Sequence, residues 1–276
     1  MTQFDREYKK ALIEILNKGI EEKNERTGLK TKAVPGLTFH IDFGFPILTL
    51  RKIPIKLFVA EQIWFLTGSN NPDDFMSKYS RIWDDFREKD GTVAAAYGHR
   101  WRRYFGRDQI TDLVNLLTKD PSSRHGVVVT WDPGDDGLGT GTKKKNVPCP
   151  FTYTFNIIGN KLHMHNIIRS NDMMLGCPHD TAGFVLLQYL LAAKLEVKPG
   201  VYTHSISNAH IYENHYEQAW EIVDRHNDHP PISFNPKKDY LDRAMAGDHE
   251  LVDEIVDELK SQYHPMGSVG KMDIAL

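Results

Sequence analysis

Cys149 and Cys177 are the two thiols in this 276-residue chain. Two thiols do not make a disulfide framework at this size, so each is packing or chemistry. Cys149 stands in Val147-Pro148-Cys149-Pro150, where a Gly- and Lys-rich stretch meets a β-rich run. A cysteine there is either a small buried hydrophobe or a nucleophile, and a nucleophile needs a nearby cation to favour the thiolate. Arg169 is the candidate cation: it ends the hairpin that begins just after Cys149 and opens the polar run Arg169-Ser170-Asn171-Asp172. Cys177, in Leu175-Gly176-Cys177-Pro178, reads as packing.

Glu61 lies inside Ala60-Glu61-Gln62-Ile63-Trp64-Phe65-Leu66. It either occupies the wet stripe of a helix or, if buried, has a raised pKa suited to general acid/base work. His210 and Tyr212 alternate on one strand face, where two polar rings could hold a sugar hydroxyl or simply face solvent. The 13 histidines are scattered, and His163 and His165 lack a matching Cys or carboxylate pair, so no metal site is expected.

The elements that must position these residues follow from periodicity. Phe4, Tyr8, Leu12, Ile15 and Leu16 predict an amphipathic helix over 4–20, and a second runs from Ile55 to Leu66 before Thr67-Gly68. Further helices are predicted over 73–86, 108–117 and 242–262. Strands are predicted at 125–131, 153–158, 161–168 and 201–212, the middle pair joined as a hairpin by Gly159-Asn160. Residues 180–195 are apolar on nearly every side, which predicts a central buried helix stopped by Lys198-Pro199-Gly200. Residues 133–146 read as a flexible surface loop whose Lys143–Lys145 is a solvated run.

Neither repeat, low-complexity tract nor linker divides the chain, so one mixed α/β (α+β) domain over 1–276 is expected. Its formal net charge of −3 leaves no general excess of cations for nucleic acid. The most apolar stretch, 183–195, is broken by Gln188 and Lys194 and is shorter than the roughly 20 residues of a membrane span. Residues 1–6 show no apolar signal region, which sets a cytoplasmic expectation.

Alone each signal is weak, but in order they resemble the thymidylate synthase superfamily over almost the whole chain. The matching segments are Arg26-Thr27-Gly28, Gly44 to Lys52, Glu61 with Trp64 to Gly68, Ile82-Trp83-Asp84, and Tyr97-Gly98 with Trp101-Arg102. Ser123-Arg124, Pro148-Cys149, Arg169 to Pro178, Ala209 to His215 and the closing Lys271 to Leu276 complete the series. The resemblance implies a thymidylate-synthase-like fold, a mixed sheet with a long buried central helix and surrounding helices. It implies a homodimer acting on a pyrimidine nucleoside monophosphate, with 5,10-methylenetetrahydrofolate as co-substrate. Cys149 would be the nucleophile, and Arg169 would lie beside it and the phosphate. Arg26 and Ser170 would also hold that phosphate, with Arg124 arriving from the partner subunit. His210 and Tyr212 would bind the ribose, while Glu61 and Tyr97 would organise water and proton transfers. Ile82, Trp83, Phe86, Asp172, Leu175, Gly176, His179 and Ala275 would line the folate site.

Departures from the family pattern point to the product. Pro178-His179-Asp180 puts Asp where thymidylate synthases carry an Asn after a Pro-Phe pair. Cytosine offers an N4–H₂ donor and an N3 acceptor, the reverse of uracil's O4 and N3–H. A carboxyl sharing one proton with N3 and accepting from N4–H₂ matches cytosine, and the mismatch with uracil is about 1–3 kcal/mol. Asp180 can also be read as the N-cap of the buried helix. Pro150, Thr154, Phe86, Ser207-Asn208 and His125 replace further family residues that order water and cofactor. Together these resemble the deoxycytidylate 5-hydroxymethylase branch, in which water captures the one-carbon unit. A CMP hydroxymethylase, a dCMP or dUMP methyltransferase, a non-catalytic nucleotide-binding homologue and a cysteine hydrolase are the alternatives.

Overall fold

The computed structural model describes residues 1–25, 27–138 and 147–274. Phe4, Tyr8, Leu12 and Ile15 face the core from α1 (Gln3–Lys18), which opens on a reciprocal capping box between Thr2 and Asp5. The chain then runs through β1 (Ile20–Lys23), β2 (Lys30–Ile41), α2 (Ile55–Thr67), a short α3 (Tyr97–His99) and α4 (Gln109–Lys119). Next come β3 (Gly126–Val129), β4 (Pro150–Ile158), β5 (Lys161–Ile168), a two-residue β6 (Asn171–Asp172), α5 (Gly176–Lys194) and β7 (Lys198–Tyr212). Three helices follow: α6 (Tyr216–Asp224), α7 (Tyr240–Met245) and α8 (His249–Lys260).

One mixed sheet has the order β1-β2-β7-β5-β4-β3, with β6 paired to β7. The β5–β7 and β6–β7 pairs are parallel and the others antiparallel. The β4–β5 hairpin turns on Gly159 and Asn160, both at φ 59°, as a two-residue primed turn requires. Helix α5 is buried along most of its length and packs against α2, β5 and β7. Its one buried amide, Gln188, donates to Leu162 O at 2.8 Å beside a register shift between β5 and β7. The residue that interrupts the apolar run therefore satisfies backbone where the ladder fails.

Several expectations are corrected. Residues 73–86 are not a helix but three single 3₁₀ turns, Pro72–Asp74, Met76–Lys78 and Asp84–Phe86. Phe75 breaks the winding at φ −154°, and Arg87 ties Asp73 and Asp84 together with side-chain bonds. The helix expected over 242–262 is two, divided at Gly247 with φ 72°, after which Asp248 caps α8. Pro199 and Gly200 do not terminate anything; they lie inside β7, whose pairing begins at Lys198. The described part of the 133–146 loop is anchored, because buried Asp136 meets buried Arg100 at 3.1 Å. Lys143–Lys145 lie outside the described residues.

Candidate active site

The first two turns of α5, the middle of α2 and the start of β4 converge at one end of the sheet. Helix α2 is apolar around most of its circumference, and Glu61 is half-buried on it. Its Oε1 accepts from Trp83 Nε1 at 2.8 Å, and its Oε2 lies 3.9 Å from His179 Nε2 on α5. Burial, and after it the negative charge of Asp180, pushes the Glu61 carboxyl up to about 8. The wet-stripe reading fails. His179 is pushed the other way by burial and by Arg51, down to about 4, so its ring is neutral and no ion pair forms. Its Nε2 is buried without a hydrogen-bond partner.

Asp180 is not a helix cap. Helix α5 begins four residues earlier with Leu175 at the N-cap position, so the carboxyl is free of that duty. Its Oδ2 accepts from Asn171 Nδ2 at 2.7 Å. Burial raises its pKa to about 7 against the pull of that bond, and Asp172 adds to the rise. Two half-buried carboxyls thus interact between α2 and α5, Glu61 favouring its protonated form near neutrality and Asp180 poised between its two forms.

Tyr97 faces the same space, since Cys149, Asp180 and Glu61 all act on its hydroxyl, which burial pushes far above the usual phenol range. Gly98 permits this position. A Cβ there would lie 1.7 Å from Phe65 O, so the turn bearing Tyr97 sits directly on the α2 backbone. Cys149 precedes a register shift at Pro150/Thr152, where Phe151 is the extra residue of β4. Bulges commonly re-aim side chains beside reactive centres. The Arg169 N–H donates to Cys149 O at 2.9 Å, and its guanidinium donates to Pro148 O at 2.9 Å and Val147 O at 3.3 Å. That side chain clasps the segment leading into the thiol, with Trp131 5.7 Å from its centre. Cys177 is fully buried, and burial raises its thiol far above the usual range.

The chain matches the thymidylate synthase family model over residues 6–260. The chain belongs to the thymidylate synthase family. Its class of reaction is therefore folate-dependent one-carbon transfer to a pyrimidine nucleotide, and methylenetetrahydrofolate is the family's one-carbon donor. Among the described residues no group of three His, Cys, Asp or Glu is arranged to hold a metal, and no helix is long and apolar enough to cross a membrane.

For a thymidylate synthase family member the remaining site expectations distribute unevenly. Trp83 forms an aromatic wall with Phe86 and Tyr97 at centroid distances of 5.6 and 6.0 Å, and Ile82 is half-buried beside it. Asp172 accepts from the Met174 N–H at 2.8 Å and the Leu175 N–H at 3.4 Å, which holds the turn entering α5 at Gly176. Ser170 lies half-buried between Arg169 and β6. His210 and Tyr212 do share a face, with rings 5.2 Å apart, and both are buried, not solvent-facing. Asn208 fixes His210 through Oδ1 at 3.0 Å from Nδ1.

Arg124 is not brought to the cluster of its own chain. Gly126 pairs with Phe155, so Arg124 and His125 are exposed just ahead of β3, towards the end of β4 away from Cys149. Arg26 and Ala275 lie outside the described residues; the preceding tail passes Gln218, with Met272 packed on the core. Sequence reasoning missed the partners of Asp180. His204 and Tyr202 carried no motif signal, although two polar rings in an otherwise core-facing strand were visible at alternate positions.

Proposed function

We propose that this protein is a cytidylate 5-hydroxymethylase that converts dCMP to 5-hydroxymethyl-dCMP. The observation carrying the reading is Asp180, a half-buried carboxyl with one oxygen accepting from Asn171 and a proton affinity poised near neutrality. Such a group can share a proton with N3 of cytosine while accepting from N4–H₂. Uracil would set an N3–H against the shared proton and O4 against a carboxylate oxygen.

The chemistry runs through this chain's own groups. The Cys149 thiolate adds to C6, its electron pair passing to C5, which bonds to the one-carbon unit supplied by 5,10-methylenetetrahydrofolate. Loss of the C5 proton and departure of tetrahydrofolate leave an exocyclic methylene on the nucleotide. A water then adds to that methylene, its proton passing to a site base, and the pair returned through C5 expels the thiolate. Glu61 and His179 support water capture in place of hydride transfer. The gap of 3.9 Å between Oε2 and Nε2 is too long for a direct hydrogen bond, and an unpartnered ring nitrogen beside a carboxyl suits a bridging water. Arg169, Arg26 and Arg124 of the partner subunit supply the local positive charge for the phosphate, and Ser170 offers it a hydroxyl donor. His210 and Tyr212 take the ribose, and the Trp83–Phe86 wall with Leu175 and Gly176 takes the folate.

The test is to offer dCMP, CMP and dUMP with methylenetetrahydrofolate and weigh the products. The expected product is dCMP plus CH₂O. A gain of CH₂ with dihydrofolate formed would make the protein a methyltransferase, and preference for CMP would move it to ribonucleotides. Asp180→Asn should shift preference towards dUMP by one to two decades, about the free energy of one buried polar mismatch. An unchanged ratio overturns the assignment of Asp180.

A further inference from the structure

Asp180 is the last member of a buried hydrogen-bonded chain. Asn166 Nδ2 donates to the Tyr202 hydroxyl at 3.1 Å, and that hydroxyl lies 2.8 Å from His204 Nδ1. His204 Nε2 lies 3.1 Å from Asn171 Oδ1, and Asn171 Nδ2 meets Asp180 Oδ2 at 2.7 Å. The directions are linked. Asn171 presents its NH₂ to the carboxyl, so its Oδ1 must accept from His204 Nε2–H. A neutral imidazole that donates at Nε2 accepts at Nδ1, so Tyr202 donates there and accepts from Asn166. Burial pushes His204 down to about 3, which keeps the ring neutral, and Phe39 stacks on it at 4.8 Å.

Asn166, Asn171, Tyr202 and His204 are all buried and linked from Asn166 Nδ2 to Asp180, with Asn166 Oδ1 left without a partner, and breaking such a buried chain is costly. Gly176 covers the terminal bond. A Cβ there would lie 3.1 Å from Asn171 Nδ2 and 3.4 Å from Asp180 Oδ2. The opposite polarity is available only when Asp180 carries its proton on Oδ2 and donates it to a rotated Asn171. In the observed polarity Oδ2 is an acceptor, and any proton on Asp180 must sit on Oδ1, the oxygen left for a ligand.

We propose that Asn166, Tyr202, His204 and Asn171 are positioning residues that fix the proton of Asp180 on Oδ1 and thereby set the choice of pyrimidine base. The inference rests on the reading of Asp180 as the base-recognising group. Its neighbours Glu61 on α2, Asp172 on β6, and Tyr97, Tyr153 and Cys177 also act on this carboxyl, and the variants below leave them in place. Tyr202→Phe removes one oxygen three bonds away from Asp180 in the chain; Asn171→Ala removes the donor itself and serves if the first fails to fold. For each folded variant, kcat/KM for dCMP and dUMP is measured across pH. The cytosine-to-uracil ratio should fall about tenfold, the size of one lost buried hydrogen bond. The alkaline limb of the dCMP profile should also move to higher pH, because the active form carries the Asp180 proton and a carboxyl that loses a donor to its anion holds that proton more tightly. If wild type prefers dCMP and neither ratio nor limb moves in a folded variant, the relay is only core packing. If wild type prefers dUMP, the cytidylate assignment falls instead, and the limb alone decides the relay: a shift upholds it, a fixed limb ends it.

Discussion

The atoms around Asp180 and His179 concentrate the chemical choices of this protein. An amide at 180 can turn either end to a base, whereas a carboxyl whose Oδ2 accepts from Asn171 carries its one proton on Oδ1 and offers only acceptors elsewhere. At 179, the ring nitrogen that faces Glu61 is the feature a phenyl ring would lack. His179→Phe should therefore leave the early steps intact and impair the late one. Release of tritium from [5-³H]dCMP should persist while 5-hydroxymethyl-dCMP formation drops about a hundredfold, the low end of a general-base contribution. Equal loss of both would place His179 in nucleotide or folate binding, not in water capture. Cys149→Ala, in contrast, should abolish tritium release, because no C6 adduct means no acidic C5 proton; residual release would assign the nucleophile elsewhere.

At the scale of elements, the site depends on how closely the Tyr97 turn rests on α2. Gly98→Ala would push a methyl into Phe65 O, so either the turn or the helix must move. Expected is a loss of about 3 kcal/mol or more in stability, with kcat reduced by displacement of Tyr97 and Glu61; urea unfolding and steady-state rates check both. An Ala variant as stable as wild type would show that the two elements are not in register contact. Sequence alone carried α1, α2, the Gly159-Asn160 hairpin and the buried α5, since each has strong period or turn chemistry. It failed where tertiary bonds overrode period. Residues 73–86 have helical spacing, but Arg87 gathers their carboxylates into turns. Pro35 and Gly36 obscured the twelve-residue β2, and Pro199-Gly200 looked like a stop although β7 pairs through it. Glu61 and Cys149 were legible as oddities of type in context, and Asp180 as a departure from the resembling family's pattern. The Asn171–His204–Tyr202 chain was not, because it links β6, β7 and α5 through side chains distant in sequence.

For the molecule as a whole, the two protonated carboxyls set a pH dependence of stability. Glu61 and Asp180 rise from ordinary values of 4.5 and 3.8 to about 8 and about 7. Between those limits the folded chain binds more protons than the unfolded one, so stability falls as pH rises from about 4 to about 8 and then levels. Glu61→Gln should remove part of that slope and be more stable than wild type at pH 8.5, by on the order of 1–3 kcal/mol, with little difference at pH 5. Denaturant midpoints at the two pH values measure it, and a Gln variant less stable at pH 8.5 would mean that the fold does not raise the Glu61 pKa. Net charge says little about the proposed phosphate site, since a few arginines would be enough for one phosphate. In the proposed dimer Arg124, which lies towards the end of β4 away from its own Cys149, would serve a site across the interface between two copies. Arg124→Ala and Cys149→Ala homodimers should both be nearly inactive. After unfolding and refolding them together in equal amounts, half the dimers are hybrids, and each hybrid has one site with both defects and one with neither. Activity should therefore return to about a quarter of wild type. A mixture as inactive as its components would show that Arg124 acts within its own chain or not at all.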